Sequence, residues 1–187
     1  MADSRMLLER SSAKGRALHS AGHLLDNCMT NLGLKLEPGK GYHFADGPFV
    51  EYKGVVPADK LQDKKLELEK EANELISKGA KVLVSVFSYD EAAKLCGGAL
   101  PSYISEGSTP RIVKFGDYPG CPCGGTHVAD IADIGNLKVG LVFLGDLKAR
   151  MTVNDSVHHV SKLRSPTLVT NIRVKKGVTK VSYSISP

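Results

Sequence analysis

His19 and His23 stand four residues apart in ALHSAGHLLDNC. On a helix that spacing puts both imidazoles on one face about one turn apart, so that two nitrogens can converge on one metal ion. Cys123 and His127 repeat the spacing in CGGTH, where Gly124 and Gly125 permit the tight backbone that turns both side chains inward. Two imidazoles from a helix, with a thiol and an imidazole from a turn, form the kind of ligand set zinc takes in tetrahedral sites. Cys121 is a rival ligand or a thiol just outside the set, because CPC brings two sulfurs close together. Cys123 is preferred because its spacing to His127 mirrors that of the helical pair. A metalloprotease helix would read HExxH, with glutamate as general base. Positions 20 and 22 are Ser and Gly, so this helix offers no such carboxylate, which argues against a zincin-type protease. A purely structural four-ligand zinc remains the alternative use of the same residues.

The elements that must position these residues can be read from periodicity and punctuation. Residues 17–31 carry apolar side chains at helical spacing and stop at Gly33, a helix with a glycine end signal. The stretch that follows is rich in Gly and Pro, and Asp46-Gly47 between two β-prone runs predicts a hairpin. Its loop, HFADGPFVEY, offers His43, Phe44, Asp46, Phe49 and Glu51 as walls for a small pocket. A long helix is predicted from Asp59 to Gly79, opened by an Asp59/Gln62 capping box and burying Leu61, Leu68, Ala72, Leu75 and Ile76. Its charged side reads as a solvated face. KVLVSVF (81–87) predicts a buried strand, Ser88 and Glu91 a second capping box on a short helix, and RIVKF (111–115) another strand. NIRVKKGVTKVSYSI predicts a hairpin turning at Lys176-Gly177. The order of elements is α+β without regular βαβ repetition.

Composition bounds what remains. A chain of 187 residues that is 42% hydrophobic can bury one domain core, which excludes wholesale disorder. No apolar run approaches the ~18–20 residues needed to span a bilayer. Four cysteines in this length do not make a disulfide framework, and Cys28 and Cys96 read as buried thiols. The first residues lack a secretory apolar core, so a cytoplasmic protein is expected. The net charge of +5 is uneven: residues 1–138 carry 17 basic and 18 acidic groups, whereas 171–187 carry Arg173, Lys175, Lys176 and Lys180 and no acid. That terminal patch is the expected contact for a polyanion.

HSAGHLLD, DGPFVEYKG and GDYPGCPCGGTHV together resemble the editing module shared by alanyl- and threonyl-tRNA synthetases, and more closely the freestanding alanyl-tRNA editing proteins of the AlaX type. The resemblance covers about residues 16–138 and resumes at 171–185, leaving 139–170 as an atypical insert in one editing-like domain; His158 and His159 within it read as non-ligands. It implies an antiparallel sheet packed with a long helix and a zinc-bearing HxxxH helix, as in the synthetase second additional domain. It also implies one zinc per chain on His19, His23, Cys123 and His127. The activity implied is hydrolysis in trans of the ester joining serine or glycine to alanine-specific tRNA, with zinc positioning the substrate, contacts near the acceptor end, and no membrane partner. Backbone N–H groups at Gly124 and Gly125, with the Thr126 and Ser20 hydroxyls, are the expected substrate contacts; many members carry Thr where this chain has Ser20. Only 18 residues precede His19, as in the short forms of that family. A tRNA-binding module with a structural zinc and no catalysis is the competing reading. A complete aminoacyl-tRNA ligase is excluded because the chain lacks room for an ATP-binding core.

Overall fold

Ser12 is where the chain turns from its first helix into the one that carries the paired histidines. Its hydroxyl accepts from Gly15 N at 3.0 Å, capping helix α2 (Ala13–Asn31) just after α1 (Ser4–Ser11) ends. The computed structural model describes residues 4–144 and 177–186. Helix α2 starts four residues before the periodic run that predicts it and ends, as expected, at Gly33 in a left-handed conformation. Leu18, Ala21, Leu24, Leu25 and Cys28 of α2 are buried together with Val50, Tyr52, Leu137, Val139, Val181 and Tyr183 from the larger sheet.

That sheet has four antiparallel strands in the order β1 (Glu37–Tyr42), β2 (Phe49–Lys53), β7 (Val178–Ser186), β6 (Asn136–Leu144). The hairpin expected at Asp46-Gly47 is β1–β2, with an irregularity in register between Pro38 and Gly41. The strand expected after Gly177 is β7, which pairs with both β2 and β6. Its anticipated partner, NIRVKK, lies outside the described residues, as do His158 and His159. Strand β6 runs to Leu144 and pairs with β7 along its length, so the sheet continues six residues past the insert boundary drawn at 138.

Helix α3 (Leu61–Lys78) packs Leu68, Ala72 and Ile76, four residues apart, into the core and ends at Gly79. Its N-terminus departs from expectation. Residues 58–60 form a 3-10 turn, the cap position falls on Lys60, and no side chain caps it. The charged side is also more than a solvated face. Asn73 donates to Leu137 O and accepts from Leu137 N, both at 2.8 Å, while Glu69 accepts from Val139 N at 2.9 Å. These bonds satisfy backbone groups along the outer edge of β6, which no further strand covers among the described residues.

The second sheet is smaller: β3 (Val82–Val86), β4 (Arg111–Phe115) and β5 (Cys121–Pro122), all antiparallel. Helix α4 (Tyr89–Leu95) joins β3 to the loop before β4 and carries the complete Ser88/Glu91 capping box. The expectation of a buried β3 is corrected. Leu83 and Val86 are 45% and 58% exposed because β3 is the sheet's outer strand among the described residues, with β4 on one side and only the Ala129–Asp130 segment meeting its first residues on the other. Cys28 is buried as expected, but Cys96 is only half-buried.

Candidate metal centre

A helix rises about 5.4 Å per turn, and a strand advances about 6.6 Å over two residues. His19 and His23 on α2 therefore run nearly in step with Cys121 and Cys123, which lie two apart on β5 and its continuation, where Cys123 N donates to Arg111 O at 3.1 Å. Cys123 Sγ lies 3.5 Å from His19 Nε2, and Cys121 Sγ lies 3.4 Å from His23 Nδ1. His127 closes the group, its ring centroid 4.5 Å from that of His19 and 5.2 Å from that of His23.

One donor atom from each of His19, His23, Cys123 and His127 lies within 4.8 Å of the others. His23 Nε2 and both ring nitrogens of His127 are buried without a hydrogen-bond partner. A buried polar atom left unpaired is costly, and lone pairs that face one another are what a cation would satisfy. The donor set thus fits a zinc-like ion on the chemistry of its own atoms. His23 Nε2 is the ring atom left without a partner, and Nδ1 is the one that meets Cys121 Sγ. Cys121 is thereby placed to support the His23 ring, in the manner of groups that orient metal-binding imidazoles. Of the two thiols, Cys123 is the one whose Sγ falls within the four-residue group, while Cys121 meets His23 from outside it.

Electrostatics agree. Burial, with the neighbouring imidazoles and the Arg10 and Arg111 guanidiniums, lowers all four histidines of this region: His19 and His23 below their usual range, His43 to about 4 and His127 to about 3. They are therefore neutral at pH 7, with lone pairs available. Burial raises both thiols, Cys121 to about 12. Only Cys123 has groups that favour its thiolate, the Gly125 N–H at 3.4 Å and the Arg111 charge. Arg111 also donates through Nη1 to Cys123 O.

The four residues expected to contact substrate divide. Ser20 is fully buried, and its hydroxyl accepts from Val128 N at 3.1 Å. It cannot reach a ligand, and instead anchors the residue after His127 to α2. The Gly125 N–H is committed to Cys123 Sγ, and a Cβ at Gly125 would overlap the His19 ring, so glycine is needed there for space. Thr126 donates to Arg10 O at 2.6 Å, tying the ligand turn to α1. Gly124 alone of the four is exposed at the rim of the adjoining cleft, with open space where a side chain would stand. Of the basic patch, Arg173, Lys175 and Lys176 lie outside the described residues. Lys180 sits on the face of β7 opposite buried Val181 and Tyr183, its Nζ 3.6 Å from the Phe49 ring centroid.

The cleft beside the cluster has a volume of about 590 Å³. Arg10, Tyr42, His43 and Phe44 line it together with His19 and Gly124. Arg10 lies 5.1 Å over the Phe44 ring. Sequence spacing missed Arg10, since nothing in it signals that α1 folds back on the ligand turn. Of the proposed pocket walls, His43 and Phe44 line the cleft, whereas Asp46 accepts from the Tyr42 hydroxyl at 2.9 Å. Among the described residues, no helix is long and apolar enough to cross a membrane.

The family profile described as "Threonyl and Alanyl tRNA synthetase second additional domain" matches residues 111–153, a segment that contains Cys123 and His127. The alanine–tRNA ligase of Fervidobacterium nodosum is 37% identical over 130 residues, covering 65% of this chain and 14% of that protein. The enzyme of Frankia casuarinae is 32% identical over 143 residues, covering 74% of this chain and 15% of its own length. That of Streptococcus thermophilus is 30% identical over 126 residues, covering 65% and 14%. The chain therefore spans about one seventh of the length of these curated relatives.

Proposed function

Since this chain is a relative of alanyl-tRNA synthetases that carries the second additional domain of the threonyl and alanyl enzymes, we propose that it is a trans-acting deacylase. Its substrate would be alanine-specific tRNA mischarged with serine or glycine, and its cofactor one zinc ion. The observation that carries the reading is the group of four donor atoms within 4.8 Å, two of whose residues, His23 and His127, hold buried ring nitrogens without partners, beside a cleft. Bound at His19, His23, Cys123 and His127, zinc would supply a fixed positive charge against which an aminoacyl ester is oriented.

The chain's own residues do the rest. An aminoacyl ester is already activated, so positioning and stabilisation of the developing oxyanion can suffice. Gly124 brings exposed backbone to the rim, where a carbonyl oxygen can approach without meeting a side chain. Ser20, Gly125 and Thr126 act one step back: Ser20 holds the His127 turn, Gly125 supports the Cys123 thiolate, and Thr126 holds Arg10 over the cleft. The Arg10 guanidinium is suited to a phosphate of the acceptor end, with Arg173, Lys175, Lys176 and Lys180 as further phosphate contacts.

Zinc-loaded protein is expected to hydrolyse Ser-tRNA of alanine specificity much faster than Ala-tRNA. Cys123→Ser should lose both metal and activity, whereas Cys121→Ser should keep the metal at reduced affinity, about tenfold by analogy with other groups that orient ligands. Equal, metal-independent decay of both esters would sink the proposal. Four protein ligands also suit a closed structural site. That second reading predicts tRNA binding without turnover, and a His19→Ala chain that unfolds rather than one that is folded and inactive.

A further inference from the structure

His43 is held by more structure than a loop residue needs. Its imidazole lies in a slot between α2 and β1, where a Cβ on Gly22 would stand 2.7 Å from Nδ1 and one on Gly41 would stand 2.6 Å from Nε2. Glycine at both positions is what makes room for the ring. His43 Nδ1 lies 2.6 Å from the Tyr183 hydroxyl, which itself donates to Leu18 O at 3.0 Å. The carbonyl can only accept, so the phenol's single hydrogen goes to it and the phenolic oxygen is left to accept from Nδ1–H. The tautomer follows: Nε2 carries a lone pair and has no partner among the described residues. The ring stacks on His19 with centroids 4.7 Å apart, yet it stands outside the four-ligand group and lines the adjoining cleft.

We propose that His43 is the specificity-determining acceptor of this cleft, its Nε2 receiving the side-chain hydroxyl of a seryl ester that an alanyl ester lacks. The inference rests on the deacylase reading and names the group by which that site would tell its substrates apart. None of the described residues lining the cleft carries a carboxylate, and Arg10 brings a positive charge into it. A side-chain hydroxyl matches the lone pair that the Tyr183 contact leaves at Nε2. With alanine in place, Nε2 is desolvated and unpaired, and a site built to hydrogen-bond a hydroxyl rejects the analogue without one for that reason.

The test uses zinc-loaded full chain and two non-hydrolysable probes, adenosine amide-linked at its 3′ position to serine or to alanine, titrated calorimetrically with metal content measured alongside. Wild type is expected to prefer the seryl probe. His43→Asn keeps a group facing Tyr183 but lacks the distal acceptor, and should reduce the preference about tenfold by weakening the seryl probe alone, with zinc content unchanged. His43→Gln, which returns an acceptor near Nε2, should restore part of it. Tyr183→Phe leaves the imidazole in place but frees its tautomer, and should give a partial loss even where position 43 tolerates no change. An unchanged preference in His43→Asn, or equal weakening of both probes, overturns the assignment. Wild type that binds both probes without preference overturns this inference alone, while wild type that binds neither overturns the deacylase reading with it.

Discussion

Cys121 and Cys123 meet different histidines because a strand and a helix advance at nearly the same rate, and that match gives the two thiols separate places in the group. Sequence could place both sulfurs on one side of a strand but could not say which histidine each would meet. The His/Cys pairs themselves were legible, since their spacing is a property of local geometry. Arg10, His43 and Tyr183 were not legible as partners, because their meeting depends on how α1, β1 and β7 fold across α2. The protonation of these residues is testable. The histidines titrate below their unfolded values in the native protein, so their stabilising contribution is complete above about pH 6.5 and is lost as the pH falls towards about 4. Asp26 runs the other way. Burial raises its carboxyl from 3.8 to about 6 despite the Tyr52 hydroxyl 2.7 Å away, so its contribution is present in acid and is lost as the pH rises through that interval. In urea titrations of chelator-treated protein, stability should fall on acidification from pH 6.5 to 4.5. Asp26→Asn should steepen that fall by up to about 1.4 kcal/mol per pH unit. Parallel profiles would show that Asp26 titrates as it does in the unfolded chain.

Helix α3 shows what apolar periodicity captures and what it omits. Leu68, Ala72 and Ile76 were identifiable as the buried stripe, but Asn73 and Glu69 on the flank looked like ordinary polar surface. They are instead the cover for the exposed edge of β6, a role set by the strand order of a sheet whose pairing partners are distant in sequence. Asn73→Ala leaves the N–H and the carbonyl of Leu137 unpaired together and should destabilise the fold by about 1–3 kcal/mol. Asn73→Asp, which can still accept but cannot donate, should recover part of that loss. Thermal or denaturant unfolding of the two variants gives the comparison directly. The apolar run of β3 misled for the converse reason: composition predicts a strand, but only strand order decides whether a second neighbour covers it.

At the scale of the molecule, the α+β architecture and antiparallel pairing were readable from the order of elements, and the uneven charge was readable from composition. Phosphate contacts position a nucleic acid and make its affinity dependent on salt. Replacing Lys175 and Lys176 together with Gln should weaken tRNA binding and lower the slope of log affinity against log salt by about 2. An unchanged slope would remove those lysines from the interface. Strand order carries one more consequence. β7 is the last strand among the described residues, yet it lies between β2 and β6, and it carries the Tyr183 hydroxyl that orients His43. During synthesis on the ribosome, all four residues of the His/Cys group emerge well before the strand that joins the two halves of the sheet. On the proposed deacylase function, a nascent chain would gather a metal early, and its selectivity would wait for β7. Prematurely terminated products should therefore be metal-competent and indiscriminate, and their open sheet edges should mark them for proteolysis.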